Sequence, residues 1–366
     1  MDQAHEDVFT YQPLGANTLE IRLVTVSPRT VPGADILCEL EHVVFPIDLQ
    51  DITGDSDEED RSSQGPVFSA LSYTWGSSIE PNQRILLNGK FFHIRQNLYD
   101  FLSSFSLNED CSHERLWIDQ LSINQSDLAE RSQQVSKMSH IFKKASRTLI
   151  WLGPSFEGSD SLMTKMASFE EPPSHWLGQG KILDPEELDP HLPAILRVIE
   201  SPYWTRLWIC QELLLSRTPF VQIGIHHVPW SKFILILDNL TVPSWLQQNR
   251  DKLRLLAFLR QRWGAWPGGL TWDVATTITR FAECEEPLDR VFGVFGLVKP
   301  VLRIKVDYSK SREEVVREVE EITKANEAEM RFMYEGQLGE NLRVALGVGN
   351  RAPGDTVGQP SSDSAH

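Results

Sequence analysis

The chain has 366 residues, is 41% hydrophobic and carries a formal net charge of −16. That length holds one large domain or two ordinary ones, with enough apolar residues for a core. The acidic balance argues against a nucleic-acid binder, which needs a basic face, and the four scattered cysteines, with no CxxC pair, suggest neither a zinc site nor a disulfide framework.

The acidic N-terminus lacks the apolar stretch of a signal peptide. No uninterrupted apolar run approaches the roughly 18 residues that span a bilayer. A cytoplasmic protein without a membrane span is therefore expected. In chain order, LEIRLVTV and ILCELEHVVF, between Leu19 and Phe45, read as a hairpin or a pair of edge strands. Asp48 to Gly65 is acidic and Ser-rich, cannot bury enough apolar surface to fold, and is expected to be a mobile loop. FSALSYTWG, Phe68 to Gly76, is the first strong core strand. RILLNGKFFHIR follows as a hairpin, with Asn88-Gly89 suited to the positive φ angles of a type I′ turn. Leu98, Phe101, Leu102 and Phe105 then fall at helical spacing.

Leu116 to Gly153 reads as strand, polar loop, capped amphipathic helix and strand, a βαβ unit. Asp127 can cap the helix, and Glu130 can reach back in a capping box. Val135, Met138, Phe142 and Ala145 form its apolar stripe. The unit places Asp119, Asn124 and Gln125 after the carboxyl end of a strand, where open α/β sheets gather ligands. Ser155 to Pro193 reads as an irregular Pro/Gly/acid-rich insertion. Ser201-Pro202 opens a helix that continues through YWTRLWICQELLLS, and PFVQIG is a strand. From Leu237 to about Lys324 the pattern is mostly helical, with Ser309 or Ser311 capping a helix whose stripe is Val315, Val319 and Ile322.

ALSYTWGS, the Leu116–Gly153 stretch and YWTRLWICQEL resemble, in that order, the three signature blocks of the fungal heterokaryon-incompatibility (HET) domain. EEPLDRVFGVFGLV followed by VDYSKSREEVV resembles the segment that commonly follows it. Leu121-Ser122 departs from the small residue and cysteine usual there. The resemblance implies a role in fungal non-self recognition, with growth arrest and programmed cell death after fusion of unlike cells. It also implies a likeness to Toll/interleukin-1 receptor (TIR) domains, which are flavodoxin-like; some of these cleave NAD⁺ with a glutamate on a helix. The expected architecture is α/β, a largely parallel sheet flanked by helices, with a helical C-terminal region. The expected layout is N-terminal strands and acidic loop over 1–66, a HET core over 67–235, a helical region over 236–335 and a disordered tail over 336–366.

Glu212 is the sharpest candidate for a catalytic group. Trp208 lies one helical turn before it, on the same face. A carboxylate beside an indole can have a raised pKa, hold a ribose hydroxyl, or stabilise the oxocarbenium-like state of a glycosidic cleavage. The bland alternative is a structural ion pair with Arg206 or Arg131. Asp119 can bind ribose or orient an arginine, or it can order the LSINQ loop. Asn124 and Gln125 suit a ligand or a loop brace equally. Arg131 can meet a phosphate, or hold Glu130 or Asp127. Tyr73 and Trp75 can stack on a ring or fill space between sheet and helix. Arg206 and Trp208 complete the candidate set, with packing the plain role for the indole. No metal site is expected: there is no HExxH and no P-loop, and neighbouring His226 and His227 on a strand point to opposite faces. GPSFEG is not a nucleophile elbow.

Two mechanisms stay open, beside a third reading as a silent paralogue that folds but no longer signals. One is a signalling module that self-associates or binds another HET or NLR-type protein. The other is an NAD⁺-consuming hydrolase with Glu212 as its carboxylate, NAD⁺ being substrate rather than resident cofactor.

Overall fold

The structure is a computed structural model. It describes residues 7–15, 19–45 except 32, 65–77, 82–170, 185–326 except 240, 241, 267 and 281, and 346. The acidic loop expected after Asp48 and the tail expected after 336 lie outside the described residues, apart from Gly65 and Leu346.

The chain runs β1 (Leu19–Val26), β2 (Leu37–Phe45), β3 (Ser69–Tyr73), β4 (Gln83–Leu87), β5 (Lys90–Ile94), α1 (Gln96–Phe105), β6 (Leu116–Trp117), α2 (Asp119–Ser122), α3 (Leu128–Lys144) and β7 (Arg147–Trp151). It continues with α4 (Ser159–Ala167), α5 (Pro185–Leu188), α6 (Leu192–Glu200), α7 (Ile209–Leu215), β8 (Pro219–Ile223), β9 (His226–Pro229) and α8 (Trp230–Asn239). The described helices that follow are α9 (Gln247–Arg262), α10 (Trp272–Ile278), α11 (Asp289–Phe292) and α12 (Arg312–Ala325).

Among the described residues nine strands form one sheet in the order β5-β4-β2-β1-β6-β3-β7-β8-β9. The expectation of a largely parallel sheet is corrected. β1–β2, β1–β6, β4–β5 and β8–β9 pair antiparallel, and these pairings hold more of the paired residues than the parallel ones. Parallel pairing links the central block β6-β3-β7-β8, and also joins β2 to β4. The cause is the N-terminal strands. They lie beside β6 instead of standing apart, and hairpins flank the βαβ core on both sides.

Strand sequences explain the layering. β3 is buried at every position, as a strand covered on both faces must be. Ala70, Trp117 and Ile150 enter one hydrophobic cluster, whereas Leu71, Leu116, Leu149 and Trp151 enter the other. This alternation follows from successive side chains pointing to opposite faces. The second cluster is closed by Leu98, Phe101, Leu102 and Phe105 of α1. The first is closed by α3, α6, α7 and the C-terminal helices, and reaches Val315, Val316 and Val319 of α12 without a break. The β4–β5 turn has positive φ at Asn88 and Gly89, as the Asn-Gly pair predicts. Close packing also fixes one glycine: a Cβ on Gly296 would collide with Ser139 on α3.

Three local readings change. The run after Ser201 is not one helix. Ser201 caps a 3-10 turn, Pro202–Thr205, and α7 starts afresh at Ile209. Asp127 does cap α3, accepting from the Ala129 and Glu130 amides. Glu130 does not complete a capping box, because its carboxylate turns to Arg22 at 2.6 Å and to the Asn124 amide at 2.7 Å. The segment after Ser155 is also more regular than its composition suggests, carrying α4 and α5, with 171–184 outside the described residues.

Candidate functional site

A cleft of about 700 Å³ opens beside the carboxyl ends of the parallel neighbours β3 and β6. Trp75 enters from just beyond β3 and Asp119 from just beyond β6. The Trp75 indole donates to Asp119 Oδ2 at 2.8 Å, so one bond ties the two strand ends together. Asp119 Oδ1 accepts the Gln120 amide at 2.7 Å, and Gln125 Nε2 donates to the Asp119 carbonyl at 3.0 Å. Burial raises the Asp119 pKa, while Arg206 opposes that rise.

The loop beneath is braced from far along the chain. Arg22 is fully buried and meets both oxygens of Glu130, at 2.6 and 3.0 Å, and the Ser122 carbonyl at 3.0 Å. Breaking a buried pair of this kind costs about 3–5 kcal/mol.

Glu212 sits in the first turn of α7 and is 3% exposed, yet lines the cleft. Its Oε2 accepts from Ser72 Oγ and, at 3.4 Å, from Arg206 Nη1. Ser72 in turn accepts from the Tyr203 hydroxyl at 2.5 Å. Burial pushes the Glu212 pKa up, and Arg206 and Ser72 pull against it. Burial alone would lower Arg206, but the charge of Glu212 holds its pKa above the ordinary value. The far end of α7 is held by Arg260, which donates to the Leu213 and Ser216 carbonyls at 2.6 and 2.7 Å. A cation at that end also suits the helix dipole.

The opposite wall comes from the C-terminal region. Glu283 pairs with the 3-10 turn through Glu283 N to Thr205 O at 2.6 Å and Leu207 N to Glu283 O at 2.8 Å. Asp289 accepts from the Trp208 indole at 3.1 Å and from the Tyr308 hydroxyl at 2.7 Å. Arg131 lies 4.0 Å from Asp289, and its guanidinium stacks 3.9 Å from the Tyr308 ring centre. Burial raises the Asp289 pKa, against the bonds from Tyr308 and Trp208.

Of the residues singled out from sequence, Trp75, Asp119, Gln125, Arg131, Arg206, Trp208 and Glu212 line this cleft together. Tyr73 lies outside the lining, 1% exposed, with its hydroxyl donating to Gln120 Oε1 at 3.3 Å. Asn124 is a turn residue whose Oδ1 accepts the Ser126 amide at 3.3 Å. Arg131 meets Asp289 rather than Glu130 or Asp127. Sequence reasoning missed Ser72, Tyr203, Asp289 and Tyr308, although all four stand in or beside the blocks that carry the resemblance. Among the described residues no cluster suits a metal ion, and no helix is long and apolar enough to cross a membrane.

Residues 68–212 match the family model described as Heterokaryon incompatibility protein (HET). "Heterokaryon incompatibility protein 6, OR allele" of Neurospora crassa is 28% identical over 200 residues, covering 44% of this chain and 29% of that protein. The chain thus spans less than a third of that relative's length. No solved structure gives a significant match. Trp75, Asp119 and Glu212 all fall within the matched residues, and that part of the chain is similar to the heterokaryon incompatibility (HET) family.

Proposed function

We propose that this protein acts in fungal heterokaryon incompatibility as a cell-death effector, and that its cleft hydrolyses the nicotinamide–ribose bond of NAD⁺. The observation that carries this reading is the meeting of Glu212, Asp119, Trp75 and Trp208 in one cleft at the ends of parallel strands. The parallel pairing of β6, β3, β7 and β8 supports reading the domain as TIR- or flavodoxin-like.

In the reaction the bond between ribose C1′ and the pyridinium nitrogen breaks, and its electron pair neutralises the ring. C1′ becomes oxocarbenium-like, and the ionised Glu212 stabilises that charge. Water then adds to C1′ and releases one proton, giving ADP-ribose and nicotinamide. Ser72 and Arg206 both bond Glu212 Oε2. They favour the ionised form and fix the carboxylate before charge develops. Depletion of NAD⁺ would account for growth arrest and death after fusion.

The test is nicotinamide release from NAD⁺ by concentrated protein. Release is expected to fall about 10²–10³-fold in a folded Glu212→Gln protein. Absence of release from the folded wild type would overturn the hydrolase reading. One observation favours a second reading: Glu212 is already engaged by Arg206 at 3.4 Å. There the domain is an interaction module, self-associating or binding another HET or NLR-type protein. It predicts that Glu212→Gln alters assembly measured by light scattering.

A further inference from the structure

The charge of the cleft lining is lopsided. Six carboxylates, Asp119, Glu212, Glu283, Glu285, Glu286 and Asp289, stand against Arg131 and Arg206. Both arginines are committed, Arg206 to Glu212 at 3.4 Å and Arg131 to Asp289 at 4.0 Å. Arg95 reaches Glu285 at 3.8 Å from the rim. That leaves Asp119 and two of the rim glutamates in excess.

The aromatic walls are complementary to that excess. Each indole N–H is spent on a carboxylate, Trp75 on Asp119 and Trp208 on Asp289. What the rings still offer a ligand is their π faces. One cation already exploits this: the Arg95 guanidinium lies 5.0 Å from the Trp75 ring centre. Among the described residues no cation stacks on Trp208, which lines the same cleft. Indole faces attract cations more strongly than other aromatic faces do.

We propose that the cleft selects a flat, positively charged ring, of the N-substituted pyridinium class, over its neutral counterpart. The choice of pyridinium rests on the NAD⁺ reading above; the selection for positive charge rests on the lining itself. Cleavage removes the ring's charge, so the same walls hold the substrate and let the neutral ring go. The oxidised cofactor is preferred to the reduced one for the same reason.

The test is calorimetric titration of the full chain at low salt with two probes, 1-methylnicotinamide, a permanent cation, and nicotinamide, which is neutral. The cation is expected to bind about tenfold more tightly. That ratio should shrink as salt is raised. It should also shrink in a Glu283→Gln/Glu285→Gln/Glu286→Gln protein, whose changes lie on the lip of the cleft. Trp208→Leu should abolish it and Trp208→Phe should keep part of it. Equal affinities, preference for the neutral probe, or no binding of either would overturn the proposal. Because binding is read without turnover, the two readings separate. Nicotinamide release without cation preference defeats only the selection. Cation preference without release defeats only the hydrolysis.

Discussion

The cleft contains two tryptophan–aspartate pairs made alike and held differently. Trp75 and Asp119 come from adjacent strand ends inside the matched domain, and their bond restates a β3–β6 contact the sheet already makes. Trp208 and Asp289 come from the start of α7 and from α11, 81 residues apart. That second bond links the domain to the region after it, and Asp289 also collects Tyr308 and Arg131. The first pair is local and sheet-supported. The second is a junction on which three side chains depend. The site is therefore completed by a region that the family match does not cover.

The strongest way to break the first pair is from underneath. Glu130→Ala leaves Arg22 buried without its partner and frees the Asn124 amide. Urea unfolding should show a loss of about 3–5 kcal/mol, and a loss below about 1 kcal/mol would mean that the loop stands without this brace. Next, the pairs can be compared directly. Asp119→Ala and Asp289→Ala each strand a half-buried indole donor, worth at most about 1–3 kcal/mol. Asp289→Ala should cost more, because the Tyr308 hydroxyl loses its acceptor too; the reverse order would contradict the junction role.

pH gives a subtler comparison. Burial raises the pKa of Asp119, Glu212 and Asp289. A raised carboxylate binds protons more readily folded than unfolded. Its contribution is present below the unfolded value near about 4 and is lost as pH rises through the folded value. Asp289→Asn should therefore lose less stability than wild type between about pH 4 and pH 8. Parallel curves would remove Asp289 from that account. For catalysis the sign is the same group by group: Glu212 must be ionised, so activity should fail on the acid side above the usual carboxylate range. Arg206→Met should move that failure to higher pH. The smallest effect is expected far from the cleft. Ser311 caps α12 in a capping box with Glu314, so Ser311→Ala should cost about 1 kcal/mol without changing ligand affinity.

Local chemistry was readable in the sequence wherever one element decides it. The Asn88-Gly89 turn, the stripe of α3 and the Asp127 cap are such cases. So is the placement of Asp119 at a strand end, because a βαβ unit leaves few other geometries. What was not readable is partnership across distance. LEIRLVTV says strand, but not that it lies antiparallel beside β6. Glu130 has the spacing of a capping-box residue, yet its partner is Arg22, 108 residues away. Asp289 stands among Glu285, Glu286 and Arg290, and nothing in that run marks it as the carboxylate that turns inward. Tyr203 and Ser72 were not singled out, because their bond spans 131 positions.

The pairing of β1 with β6 has a practical consequence for anyone cutting the chain at its family boundaries. A fragment of residues 68–212 would lose β1 from one flank of the parallel block and both β8 and β9 from the other. Its remaining strands would present unpaired amides and carbonyls on both sides, an invitation to add foreign strands. Such a fragment should be sticky before it is active, and its self-association would report severed edges rather than signalling.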